Sequence, residues 1–284
     1  MIVHLVERAA RRSRVLLVSK ESVPTNMSLP TPPPVLQERF SAAGGKPTYV
    51  RQMFGRIARV YDLMNGLMTA GLDRRWRAFA VRQLALCDGA RALDIGTGTG
   101  DLAIAAAQMY PAAEVSGVDF TPQMLERGRE KLRRLGLAER VQLREGDGER
   151  LDFPDGDFDA CCSAFVVRNL ADLPGGLREM RRVVKPGGRI VCLEISHPQN
   201  SVVARAFHFY FDTLVPLLGR VVGRAFDAYS YLPTSVSAFP DAPALKRLMT
   251  DAGWEDVHYF ALTGGIVAVH VGVKPLDESS HARV

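Results

Sequence analysis

The sequence predicts an α/β fold: a parallel sheet covered on both faces and finished by an antiparallel hairpin. Three observations carry this expectation. Between residues 89 and 195, short apolar runs alternate with stretches of helical spacing, the pattern of strands joined by crossover helices. A glycine-rich turn, Gly96 to Gly100, stands between the first run and the first such stretch. Near the C-terminus, Trp254–Leu262 and Val267–Lys274 read as two strands linked through Thr263-Gly264-Gly265.

Each element has a local reason. Residues 1–47 read as a disordered tail, because Thr31-Pro32-Pro33-Pro34 and Gly44-Gly45 favour extended, solvated chain. Met27 reads as a start, which would make 1–26 a leader; a transit peptide is the rival, disfavoured by Glu7 and Glu21. Tyr49–Leu86 is helical, with Met53, Ile57, Val60 and Met64 and then Trp76, Phe79, Ala80 and Leu84 at three and four spacing. Arg91–Ile95 is a strand, Leu102–Tyr110 a helix stopped at Pro111, and Glu114–Val118 a strand ending in Asp119. Thr121 and Pro122 open a helix that runs to Leu135 and ends at Gly136. Val141–Arg144 and Phe158–Phe165 are strands. Leu173–Val184 is a helix stopped by Pro186-Gly187-Gly188, and Arg189–Ile195 is a strand. Ala242–Ala252 is the last helix. The methyl-rich segment 198–240 reads as a lid, 48–88 as a helical cap, 89–197 as the ligand-binding core, 241–275 as the closing helix and hairpin, and 276–284 as a tail.

Composition narrows the function classes. A net charge of +5, with acids and bases interspersed, does not mark a nucleic-acid surface. Cys87, Cys161, Cys162 and Cys192 have neither CxxC spacing nor nearby His, so no metal site is expected and a reducing, cytoplasmic compartment fits best. Val202–Gly223 is the most apolar stretch, but Arg205, His208, Asp212 and Arg220 make it a poor membrane span.

The sharpest chemical signal is Leu93-Asp94-Ile95-Gly96-Thr97-Gly98-Thr99-Gly100-Asp101. A glycine turn at a helix N-terminus lets a ligand approach free backbone N–H groups. Asp101 stands where the dinucleotide fingerprint needs its third glycine, which counts against a nicotinamide dinucleotide. Asp94 and Asp101 would repel phosphate and suit a cation. Asp119 closes the next strand, where an acid grips a ribose diol. Together these fit S-adenosylmethionine, held by Asp94, Gly96, Gly98, Thr99, Gly100, Asp101, Asp119 and Phe120, with Asp147 and Gly148 at the adenine and Ser163 at the end of the fourth strand. The competing reading is a glycine turn without a ligand.

Several segments resemble the quinone-biosynthesis C-methyltransferases, the demethylmenaquinone and 2-polyprenyl-6-methoxybenzoquinol methylases. They are Tyr61-Asp62-Leu63-Met64-Asn65, the glycine loop, Phe165-Val166-Val167-Arg168-Asn169, Leu193-Glu194-Ile195-Ser196-His197-Pro198, Tyr229-Ser230-Tyr231-Leu232-Pro233 and Leu262-Thr263-Gly264-Gly265. The resemblance spans roughly residues 47–274. It implies a class I SAM-dependent methyltransferase with a Rossmann-like seven-stranded sheet. It implies C-methylation of a prenylated quinol, with demethylmenaquinol the first expected substrate and the ubiquinone-pathway benzoquinol the second. Val166 departs from the family's glycine and Ala164 from its serine; Ser163 is the nearest substitute.

The chemistry agrees. A quinol ring carbon becomes nucleophilic when the neighbouring hydroxyl, with a pKa of about 10, loses its proton. Arg168 cannot be an ordinary base, but it can hold the oxyanion or a proton-accepting water. Asn169 can orient that group, and the resemblance adds Tyr61. Arg168 would also serve as a structural ion pair, Asn169 as a helix cap and Tyr61 as a packed aromatic. His197 is expected to line the substrate or hold a turn. Phe207, Tyr210, Phe211 and Tyr231 are expected around a prenyl tail, each buried CH₂ being worth about 0.8 kcal/mol. The same apolar run would also make a core helix or a homodimer face, and with Arg205, Arg220 and Arg224 it would suit peripheral contact with the inner face of the cell membrane.

Overall fold

A computed structural model of the chain describes residues 16–17, 34–210, 213 and 226–276. Met27 and Phe211 lie outside these residues, as do Arg220 and Arg224.

Seven strands form the expected sheet. They are β1 (Arg91–Ile95), β2 (Glu114–Asp119), β3 (Val141–Glu145), β4 (Phe158–Ala164), β5 (Val184–Ile195), β6 (Glu255–Leu262) and β7 (Val267–Val273). Their order is 3-2-1-4-5-7-6, parallel through β5 and antiparallel where β7 pairs with β5 and β6. An additional two-residue strand, Leu16–Leu17, pairs antiparallel with Phe260 and Ala261 on the β6 edge. The order reverses between β1 and β4, which opens a crevice at the carboxyl ends of the strands.

The tail expectation needs correction at Leu16–Leu17, which pair with β6, and from residue 34 onward. Helices α1 (Pro34–Ala43) and α2 (Lys46–Ile57) occupy residues read as disordered. Pro34 is the first residue of α1, a position where its missing N–H costs nothing. Gly44 and Gly45 separate the two helices rather than ending the ordered chain. Leu36 buries against Tyr49, Val50, Met53, Met64 and Tyr231, and that burial outweighs the local breakers. The predicted helical stretch continues as α3 (Tyr61–Thr69) and α4 (Leu72–Gln83).

The remaining helices are α5 (Asp101–Met109), α6 (Pro122–Leu135), α7 (Leu173–Val183), α8 (Ser201–Phe209), α9 (Phe226–Ser237) and α10 (Ala242–Asp251). Helices α4, α5 and α6 cover one face of the sheet through Trp76, Val81, Leu102, Ala106, Leu125 and Leu132. Helices α7 and α10 cover the other through Leu177, Met180, Leu245 and Met249. Cys161, Cys162 and Cys192 are buried strand residues of this core. Thr121 stands at the α6 N-cap as expected, but its side chain makes no capping bond. Asp172 and Asp241 cap α7 and α10 instead, accepting the amides of Gly175 and Ala244.

Candidate active site

The glycine loop follows β1 and opens α5. Gly96, Gly98 and Gly100 have φ of 67°, 55° and 80°, the left-handed region that disfavours side chains. The loop is braced from within. Asp94 is buried, and its Oδ2 accepts the Thr97 hydroxyl at 2.7 Å and the Ala103 amide at 3.1 Å. Burial pushes its carboxyl up to about 7, opposed by the Thr97 bond and by Arg77. Asp101 is also engaged, accepting from Lys131 Nζ at 2.5 Å and lying 3.8 Å from Arg77. Both acids thus brace the loop, and on Asp94 the two donors share one oxygen, Oδ2.

Asp119 is placed as predicted, at the end of β2 beside the loop. Its Oδ2 accepts the Gly98 amide and its Oδ1 the Thr121 amide, both at 2.8 Å. Burial raises its pKa, opposed by those two amides. A carboxylate has about four acceptor sites, so two amides leave capacity for a diol. Phe120 packs against the cap cluster. Asp147 is exposed after β3, its carboxylate accepting the Glu149 amide at 2.9 Å, and Gly148 lies against Ile95. Ser163 is buried at the end of β4, and its hydroxyl has no hydrogen-bond partner.

The second cluster lies after β4. Phe165 has a left-handed φ of 62°, uncommon for an aromatic residue. The Arg77 guanidinium sits 5.4 Å from its ring, Trp76 meets the ring edge-on, and its carbonyl accepts Arg168 Nη1 at 2.6 Å. A 3₁₀ turn, Val167–Asn169, follows. Arg168 forms a buried ion pair with Glu194 of β5 at 2.7 Å, the side chains 7% and 1% exposed. Its Nε is buried without a partner. Asn169 Oδ1 accepts the Tyr231 hydroxyl at 3.0 Å. Burial pushes the Tyr231 phenol up to about 12. Tyr61, at the start of α3, has its phenol raised by burial, opposed by Arg77, by a bond to Asn65 and by Arg168. Arg168, Asn169 and Tyr231 thus come together, and Tyr61 packs against the cap cluster that holds Tyr231.

His197, Phe207 and Tyr210 each have a partner within the fold. His197 Nε2 lies 3.2 Å from the Phe239 carbonyl, an acceptor, so that nitrogen carries the proton and holds a turn. Phe207 is buried against Val236. The Tyr210 hydroxyl donates to the Met68 carbonyl at 2.5 Å and ties the lid to the end of α3.

Three participants carried no expectation of a site role. Glu194 had a legible signal: a lone carboxylate in an apolar strand must find a partner. Lys131 bridges Asp62 of α3 (2.9 Å), Asp101 and Thr99 (3.0 Å), while the Thr99 hydroxyl donates to Asp62 at 2.6 Å. This pins the cap to the glycine loop. Lys46, on α2, donates to the carbonyls of Arg168 and Leu170 at 3.0 and 2.6 Å.

The ubiE/COQ5 methyltransferase family matches residues 43–274. A ubiquinone/menaquinone biosynthesis C-methyltransferase of Geobacter sp. strain M21 is 46% identical over 226 residues, covering 79% of this chain and 96% of that one. A demethylmenaquinone methyltransferase of Roseiflexus castenholzii is 42% identical, covering 81% and 94%. Among solved structures, a SAM dependent methyltransferase from Aquifex aeolicus superposes with a TM-score of 0.51 at 18% identity, covering 69% of this chain and 88% of that one. The fold is that of class I SAM-dependent methyltransferases, and the chain belongs to the ubiE/COQ5 methyltransferase family.

Proposed function

We propose that the protein transfers a methyl group from S-adenosylmethionine to a ring carbon of a prenylated quinol, demethylmenaquinol first. The observation that carries this reading is the pairing of two half-sites at one sheet edge. One is a glycine loop with Asp119 beside it. The other is an arginine-asparagine-tyrosine cluster suited to a phenolate.

The residues fit the cofactor. Asp119 keeps acceptor capacity for a ribose diol, and Ser163 brings an unpartnered buried hydroxyl to the end of β4. Gly96, Gly98 and Gly100 would admit it to the backbone, Phe120 would flank it, and Asp147 with Gly148 would meet the adenine. When bound, S-adenosylmethionine supplies a methyl group on a positively charged sulfur.

The chain's own groups prepare the acceptor. Arg168 is held by Glu194 and by the Phe165 carbonyl, which fixes its guanidinium charge where a quinol oxyanion would develop. Glu194 balances the guanidinium charge, so the site need not hold an isolated buried cation. Asn169, its oxygen fixed by Tyr231, has its amide nitrogen only 3.5 Å from the Phe165 carbonyl, a long contact that a substrate hydroxyl can replace. Tyr61 closes the region from the cap. Over the whole reaction the ring carbon gains a methyl group and gives up its hydrogen as a proton.

Location is the second part of the proposal. No helix among the described residues is long and apolar enough to cross a membrane. On α3, Leu63 and Leu67 are 62% and 57% exposed and lie one turn apart, while Met64 beside them is buried. Arg59, Arg74 and Arg75 are exposed on either side in sequence. Exposed leucines among arginines suit the surface of an anionic bilayer, where a prenylated substrate resides.

The test offers methyl-labelled S-adenosylmethionine with demethylmenaquinol and with a polyprenyl methoxybenzoquinol, separately and under reducing conditions. Label in the naphthoquinol supports the reading, and label in both extends it. Label in neither, with cofactor binding intact, overturns it. Co-sedimentation with phosphatidylglycerol vesicles, lost in Leu63→Glu/Leu67→Glu, checks the location.

A further inference from the structure

We infer that Lys46 is a positioning residue for methyl transfer: from the first turn of α2 its ammonium holds the turn that aims Arg168 and Asn169. The inference rests on the role proposed above for those two residues.

The geometry is specific. Lys46 Nζ donates to the carbonyls of Arg168 and Leu170, which bracket Asn169 in the chain. Both partners lie more than 120 residues away in sequence, so the contact joins the cap to the sheet edge. The turn has little regular structure to hold it. It spans three residues, with internal bonds from the Asn169 amide to Val166 (2.7 Å) and from Leu170 to Val167 (3.3 Å). A partly buried ammonium on two carbonyls supplies the missing restraint, because buried carbonyls need partners and a charged donor makes the stronger bond.

The same helix grips the turn a second time. Tyr49, one helical turn after Lys46, packs its ring 5.7 Å from the ring of Tyr231. The Tyr231 hydroxyl in turn donates to Asn169 Oδ1. Helix α2 thus fixes the backbone around Asn169 through Lys46 and its side chain through the tyrosine pair. The charged groups facing Lys46 are Glu149, which favours its charge, and Arg168, which opposes it. Burial dominates and brings the ammonium down to about 8.

The test compares Lys46→Ala, Lys46→Met and Lys46→Arg with the full-length protein, using Arg168→Ala as reference. The readouts are kcat, KM for the quinol, cofactor affinity by calorimetry and melting temperature. A misplaced site group can cost about 100-fold in rate, and a fall approaching that in kcat is expected for Lys46→Ala and Lys46→Met, with KM and cofactor affinity little changed. Lys46→Arg restores most of the rate, because a guanidinium can also span two carbonyls. The ratio of wild-type to Lys46→Arg kcat falls as pH rises through about 8, where only the lysine loses its charge. In the Arg168→Ala background, Lys46→Ala costs much less than it does alone. Near-normal kcat in a folded Lys46→Met protein overturns the inference, as does a full additional loss in the Arg168→Ala background. Normal turnover by Arg168→Ala itself instead overturns the proposed role of Arg168, a distinct failure.

Discussion

Replacing Gly96 by alanine tests the fit between the glycine loop and the turn that follows β4. A Cβ built on Gly96 would lie 2.3 Å from Val166 Cγ1 and 2.5 Å from Cγ2, far inside van der Waals contact. The backbone φ of 67° adds a separate penalty. A left-handed alanine costs about 1–2 kcal/mol and overpacking about 1–3 kcal/mol, so Gly96→Ala should destabilise by about 2–5 kcal/mol. For a domain of this size each kcal/mol corresponds to about 2–4 °C in Tm. The contact part can be isolated. Val166→Gly in the Gly96→Ala background should recover about 1–3 kcal/mol and leave the backbone part in place. Urea denaturation followed by circular dichroism on all four proteins completes the cycle. Additivity of the two substitutions within about 0.5 kcal/mol would refute the reasoning, because Val166 would then not overlie Gly96.

Three more outcomes are expected. Asp119→Ala should weaken cofactor binding by about 10-fold or more, a charged hydrogen bond being worth about 1.5–3 kcal/mol; unchanged calorimetric affinity would remove Asp119 from the site. Glu194→Ala leaves Arg168 as an unpaired buried cation and should cost about 3–5 kcal/mol, with Glu194→Gln milder because it keeps an acceptor. A loss below about 1 kcal/mol in urea would show the pair to be hydrated. Asp94 has its carboxyl raised from 3.8 to about 7, so its contribution to stability is fully present below the unfolded value and lost as pH rises through about 7. Both donors to Asp94 meet one oxygen, which asparagine can supply; Asp94→Asn should therefore gain on wild type between pH 5 and pH 8, and parallel stability curves would contradict this.

The sheet was legible because parallel strands buried on two faces read as apolar runs, and because Pro122 and Gly136 bound the helix between two of them; Pro186, read as a stop, lies instead inside β5. Helix α1 was not legible. Its proline run signals extended chain, and only tertiary burial of Leu36 shows otherwise. At the site, Arg168, Asn169, Tyr61 and Tyr231 could be named from motif segments, and the structure brings Arg168, Asn169 and Tyr231 together. Sequence shows the charges of Asp94 and Asp101, but not that Thr97, Ala103 and Lys131 also hold them in place. The bridge from Lys131 to Asp62 was not legible, since nothing local distinguishes a surface lysine from one joining two layers. Lys46 fell in the presumed tail.

Trp76 donates its indole N–H to the Thr263 hydroxyl at 2.8 Å, a bond spanning 187 residues. That bond cannot form until nearly the whole chain has left the ribosome. The same holds for the Tyr231–Asn169 contact, and Lys46 must wait for residues 168–170. A nascent chain therefore carries a growing sheet while its greasy cap, with Tyr49, Met53 and Met64, has nothing complete to close upon. Domains form as units in the order of synthesis. In this one, the cap residues emerge before the sheet yet are among the last to be satisfied, and the interval between is when the apolar cap is open to capture by chaperones or by other chains.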